Sequence, residues 1–190
     1  MEAALLRFWG KTGDDHAFHP ALMHMLDVGA VAQVFLDRVA SSALRADFES
    51  VVLPSGSGDA PPIDLLRSWL PTLAALHDIG KVSPGFQIKA PDLYARLRTE
   101  GSPAQMPGAS GEHDIMTFHA LGGRGKILVE FGFDQDASYE LARTLAGHHG
   151  RFKSPVPHVD GDLWTAARRN IACAIARMFE IGRASCRERV

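Results

Sequence analysis

The segment LAALHDIGK, residues 73–81, sets an imidazole beside a carboxylate at His77 and Asp78. On a helix, neighbouring side chains diverge by about 100°, so near a helix end both can serve one metal cluster lying across it. A carboxylate has two oxygens, and Asp78 can bridge two cations where a histidine cannot. Lys81 follows three residues on, along the same side, where it could meet a phosphate oxygen or orient the carboxylate. Taken alone, such a pair is more commonly a core histidine next to a capping aspartate.

The pair has company, because the chain holds nine histidines. His24 lies within an otherwise apolar stretch, with Asp27 three residues later. A buried imidazole needs a partner. Asp27 alone would satisfy it, or Asp27 would take the second N–H of a ligating ring, since metal-bound histidines commonly hand that proton to a carboxylate. His113 sits near the start of a further helix, and His148 with His149 precedes Gly150 at a helix end. Alone, a tandem pair before glycine also describes a solvated helix end. Together, five imidazoles and one carboxylate are donors suited to manganese, iron, cobalt, nickel or zinc rather than calcium. Two such ions can activate water, hold a phosphate and stabilise a leaving oxygen. His16, His19 and His158 are expected outside this set, as loop or solvated residues, and His119, six residues past His113, on the opposite side of that helix. Asp14, Asp15, Asp160 and Asp162 are expected to cap or to face solvent.

Helices must bring these residues together. Residues 20–40 read as one, with proline in the first turn and Leu22, Met25, Leu26, Gly29, Ala32 and Phe35 along one face. Residues 61–69 and 71–81 read as two short helices broken at Pro71. Residues 53–62 and most of 81–112 read as loops, the second with a helical patch at 92–98. Further helices are expected over 115–121, from 126, over 136–148 with Asp136 or Ser138 as N-cap, and from about 162 to 182. No alternating strand pattern stands out. The expected fold class is all-α, a helical bundle with the metal site between helices.

Composition bounds the function. The chain is 46% hydrophobic and 22% charged, and 20 basic against 22 acidic residues leave a net charge of −2. Bulk positive charge therefore does not draw it to nucleic acid, and phosphate attraction must be local. Cys173 and Cys186 make neither a disulfide framework nor a zinc-ribbon spacing, so a reducing, cytoplasmic setting is expected. No secretory leader is visible at the N-terminus. No run reaches the roughly 18 apolar residues of a membrane span, so no membrane partner is expected.

FWGK at 8–11, HPALMHMLDVGAVA at 19–32, LAALHDIGKVSPGFQ at 73–87 and AGHHGRF at 146–152 resemble the HD nuclease domain of CRISPR type I systems. That domain, of the HD metal-dependent phosphohydrolase superfamily, is fused to or paired with a DNA helicase. The resemblance implies an α-helical HD fold with two divalent transition ions (manganese, cobalt, nickel or iron) and hydrolysis of single-stranded DNA displaced by a guide-RNA surveillance complex. By position, His24, His77 and Asp78 match the first part of the metal site. His113, His148 and His149 match the second, with Asp78 bridging and Lys81 as the lysine of the HD motif. Arg151 and Lys153 are candidate DNA contacts. The family pattern runs on to a further aspartate in a small Ala-Asp-Trp type motif, and none occurs between Trp164 and Val190. The domain is therefore expected to span 1–182 and to be incomplete at its C-terminus, with 183–190 a tail foreign to it.

Two other functions stay open: an HD phosphohydrolase acting on a nucleotide or cyclic dinucleotide, and an inactive fragment serving as an interaction module. A closed pocket would favour the former. An open groove lined by Arg143, Arg151, Lys153 or Arg168 would favour the nuclease, with Phe86 and Phe152 as candidate base-stacking rings.

Overall fold

A computed structural model describes residues 3–13, 17–44, 46, 63–99, 112–123, 125–151, 161–179 and 181. A 3₁₀ turn, Ala3–Leu5, leads into strands β1 (Trp9–Thr12) and β2 (Phe18–Pro20), followed by helices α1 (Ala21–Arg38) and α2 (Ile63–Leu76). A 3₁₀ turn, Ile79–Lys81, precedes α3 (Pro84–Gln87), α4 (Pro91–Thr99), α5 (His113–Leu121), α6 (Ile127–Glu130) and α7 (Gln135–Ala146). A third 3₁₀ turn, Gly147–His149, and helix α8 (Asp162–Met178) complete the order. The fold is the expected helical bundle. Residues 53–62, Asp14, Asp15, His16, Phe152, Lys153, His158, Asp160, Cys186 and the tail at 183–190 lie outside the described residues. Among the described residues no helix is long and apolar enough to cross a membrane.

Helix α1 buries Leu22, Met25 and Gly29 as its spacing predicts, then Leu36, leaving Phe35 38% exposed. It lies against α2, and Gly29 permits the approach. A Cβ there would stand 2.9 Å from the Pro71 carbonyl oxygen and press into the Phe179 ring. That packing accounts for the first departure from expectation: α2 runs unbroken through Pro71. An internal proline costs a helix about 3 kcal/mol, but burial of Leu73, Ala75 and Leu76 in the shared core offsets it.

The antiparallel hairpin is the second departure. Lys11 pairs with His19 and Thr12 with Phe18, with a bulge between Trp9 and Lys11. Three or four residues are too few for alternation to register as a pattern, and the strands are held from afar. The Trp9 N–H donates to Oε1 of Gln87 (3.2 Å), the Trp9 indole N–H to the Gln87 carbonyl (3.0 Å), and the Gln87 amide to the carbonyls of Trp9 and Lys81 (both 2.9 Å).

Local chemistry decides the remaining boundaries. The N-cap of α7 is Asp134, whose Oδ1 accepts the Ala137 N–H at 2.8 Å, rather than Asp136 or Ser138. Such a cap contributes about 1 kcal/mol. Helix α5 begins at His113, one half-turn earlier than its apolar pattern suggests. Helix α8 begins after Gly161 with no side-chain cap, and Asp162 lies in its first turn. Buried Arg168 on α8 donates to the Val82 carbonyl (2.9 Å) and so braces the segment after the 3₁₀ turn.

Candidate metal centre

Helix α2 stops at Leu76, so His77 and Asp78 occupy the turn just beyond it. The His77 ring donates Nδ1–H to the Ala74 carbonyl three residues back at 2.7 Å. His148 does the same with the Leu145 carbonyl, also at 2.7 Å. A carbonyl can only accept, so in the neutral rings the proton is on Nδ1 and the lone pair on Nε2. Both Nε2 atoms face Asp78.

The carboxylate is the meeting point. Its Oδ2 lies 3.0 Å from His24 Nε2, 3.1 Å from His77 Nε2 and 2.7 Å from the Lys81 ammonium. Its Oδ1 lies 3.1 Å from His113 Nε2 and 3.5 Å from His148 Nε2. His149 Nε2 approaches His113 Nε2 at 3.0 Å. Two donor groups result, each with its atoms within 4.8 Å of one another: His24, His77 and Asp78, and His113, His148 and His149. The six residues named from sequence thus come together, from four stretches of chain.

The donor set suits divalent ions. With Nδ1–H committed to a carbonyl, a neutral ring would turn only a lone pair to Asp78, His77 toward Oδ2 and His148 toward Oδ1. Lone pairs so close repel unless a proton or a cation lies between them. Oδ1 is buried and makes no aligned hydrogen bond, although His113 Nε2 is only 3.1 Å away. Nitrogen and oxygen are near each other without being aimed at each other, as in two ligands of one ion. Imidazole and carboxylate together select borderline transition ions.

Electrostatics favours the ionised carboxylate. Burial works to raise the Asp78 carboxyl, but the imidazoles of His113, His148 and His77 outweigh it and hold it well below the usual carboxylate range. Burial pushes His24 down, helped by the charges of Lys81 and Lys11. The Asp78 carboxylate pulls His148 up. Slight desolvation and the charges of His148 and His113 push His149 down.

Several expectations need correction. Asp27 does not meet His24: it pairs with the His19 ring at 2.8 Å, and both side chains are exposed. One helical turn carries its carboxylate outward, toward the hairpin that the sequence pattern hid. His19 is therefore a strand residue at the rim, its ring 6.4 Å from that of His24. Lys81 is buried with its ammonium against the Asp78 carboxylate, the second of its two expected placements. Arg168 is interior, Arg143 leans toward Glu140 at 3.9 Å, and neither lines the cleft beside the centre. Phe86 is 7% exposed and stacked on Trp9, leaving no face for a base. His119 stays outside both groups, as expected, its ring edge-on to Phe118. Arg151 remains exposed and, with Lys89, Glu112, His113, Asp114 and His149, lines a cleft of about 390 Å³ beside the centre.

One residue was missed altogether. Buried Thr117, one turn after His113, donates its hydroxyl to the His77 carbonyl (3.0 Å) and accepts the Gly80 N–H (3.1 Å). One side chain thereby ties the helix of the second group to the turn of the first. A threonine inside an apolar helix carries no signal of such a partner 37 to 40 positions away.

Comparison with known proteins points to one family. The family model described as Cas3, HD domain, matches residues 9–189. A Thermus thermophilus protein named CRISPR-associated endonuclease/helicase Cas3 is 34% identical over 151 residues, covering 79% of this chain and 15% of that protein. A Streptococcus thermophilus CRISPR-associated nuclease/helicase Cas3 is 26% identical over 165 residues, 81% of this chain and 16% of the relative. The chain therefore spans about a sixth of the length of these relatives. A crystal structure titled CRISPR-associated protein superposes with a TM-score of 0.80 at 28% identity, over 97% of this chain and 21% of that one. The Thermus thermophilus Cas3 HD domain, solved in the presence of Ni2+, gives 0.61 at 27% identity, over 95% and 66%.

Proposed function

This chain belongs to the Cas3 HD-domain family, and from that premise we propose that it is a metal-dependent nuclease domain that hydrolyses single-stranded DNA. The observation that carries the reading is the Asp78 carboxylate, which turns one oxygen to His24 and His77 and the other to His113 and His148. Divalent ions held by His24, His77 and Asp78 and by His113, His148 and His149 would supply Lewis acidity and an activated water.

The chain's own residues do the rest. Asp78 bridges the two donor groups, and Lys81 steadies the carboxylate through Oδ2. The Nδ1–H bonds of His77 and His148 to Ala74 and Leu145 hold both rings in the tautomer that presents Nε2. His148 and His149 stand at the surface beside the cleft, which suits a polymer entering from solvent better than a nucleotide enclosed on all sides. The two Cas3 relatives carry helicase in their names. We read this domain as working with a helicase domain or subunit on DNA exposed by a guide-RNA surveillance complex, in antiviral defence.

The test is cleavage of a labelled single-stranded oligonucleotide by purified protein with added manganese or nickel. Asp78→Ala is expected to reduce cutting to background while the far-ultraviolet circular dichroism keeps its helical form. Undiminished cutting by that variant would sink the assignment.

A further inference from the structure

The cleft beside the second group, on the side open to an entering polymer, has a lining of its own. Its walls are His113 and His149, and its cations are Lys89 and Arg151. At about 390 Å³ it falls near the lower end of the ~300–1,000 Å³ range of small-ligand sites.

Both cations are held close to the metal centre by features of the fold. The Lys89 ammonium sits 5.1 Å from the centroid of the Phe86 ring. That ring is clamped between Trp9, at 4.4 Å, and the His113 imidazole, at 5.4 Å. Lys89 is thus supported by the same aromatic ring that packs against a metal-facing histidine. Arg151 follows Gly150, whose φ of +75° closes the 3₁₀ turn of His148 and His149. Glycine takes that left-handed conformation without strain, and the reversal returns the chain to the cleft wall immediately after His149.

Two carboxylates share the cleft. Asp114 is 6% exposed, and its Oδ1 accepts the Ile115 N–H at 2.9 Å, so its charge is engaged inside the protein. Glu112 is exposed and opposes the cations.

We propose that Lys89 and Arg151 form a phosphate subsite that holds the strand next to the scissile bond, on the His149 side of the metal centre. The proposal rests on the nuclease reading and deepens it. The strand then leaves the centre in one defined direction, across His149. Glu112 weakens the grip, so that tight holding requires the strand to engage the metal centre as well.

Binding and cutting test it separately. Fluorescence anisotropy of a labelled oligothymidylate is measured with manganese present, across a salt series. The Lys89→Gln, Arg151→Gln double variant is expected to raise Kd at least tenfold. It is also expected to flatten the dependence of log Kd on log salt by about 0.7 for each phosphate that is no longer neutralised. Glu112→Gln is expected to lower Kd severalfold. In cleavage assays, the kcat/KM ratio of an oligonucleotide to a small chromogenic phosphodiester is expected to fall at least tenfold in the double variant. A Kd, salt slope and ratio all within twofold of the unsubstituted chain would overturn the subsite. If the unsubstituted chain binds the strand through these cations but cuts nothing, the nuclease reading fails and the subsite stands.

Discussion

The two halves of the metal centre share one carboxylate and are built in opposite ways. His24 and His77 are placed by packing: one rides a helix pressed against α2, the other closes the end of α2, and their side chains are 12% and 17% exposed. His148 and His149 are placed by the backbone of one short turn beside a cleft; His113 and His148, at 15% and 20% exposure, are about as covered as the first pair, and His149 is the ring open to solvent. The packed half has three donors, His24, His77 and Oδ2 of Asp78. The surface half has three imidazoles and Oδ1 of Asp78. An interior half should resist disturbance but offer fewer ligands, and a surface half should bind more fully and exchange more readily.

The largest expected effect removes the contrast. Asp78→Asn keeps the shape and takes away the charge both halves use, so calorimetric titration with manganese is expected to show neither site. Retention of either site would mean that the halves are independent. Next, His148→Ala should delete the surface site while leaving the packed one measurable, giving one ion per chain instead of two. Loss of both sites, with the fold intact, would show that the halves do not act separately.

Thr117→Val tests the link between them. It strands the buried Gly80 N–H and His77 carbonyl, each costing about 1–3 kcal/mol, and loosens metal binding by about 10–100-fold, as outer-shell changes do. Thr117→Ser is expected to restore both. If Val is as good as Thr in metal titration, the hydroxyl has no positioning role. The smallest effect is that of Lys81→Met, a severalfold loss of cleavage with both ions kept, because the ions themselves can hold the carboxylate that Lys81 otherwise orients. Loss of metal from this variant would make Lys81 structural to the site.

The same contrast explains what could be read from sequence. Imidazoles on apolar or helix-end positions stand out locally, and so the six residues that come together were legible, as was the bundle from its 3.6-residue period. The supports were not. Gln87 acts on Trp9 across 78 positions, Arg168 on Val82 across 86, and Thr117 on Gly80 across 37. No window of sequence contains such pairs. Pro71 misled for the same reason, since its cost is local and its compensation, burial against α1, is not. Asp27 misled by proximity, being near His24 in the chain yet bonded to His19 on the hairpin.

Gly80 carries a consequence of its own. A Cβ at this position would overlap the His113 carbonyl oxygen and crowd Thr117, so the backbone of one half sits directly on that of the other. The residue offers no donor atom to an ion, yet every replacement enlarges it. In a library of all single substitutions selected for function, position 80 should be as depleted as the ligands themselves. Unlike them it should show no gradation by chemistry: alanine, the mildest change, should already be lost. Second-site revertants should appear at Thr117 or in the first turn of α5, where backbone can yield, rather than among the histidines.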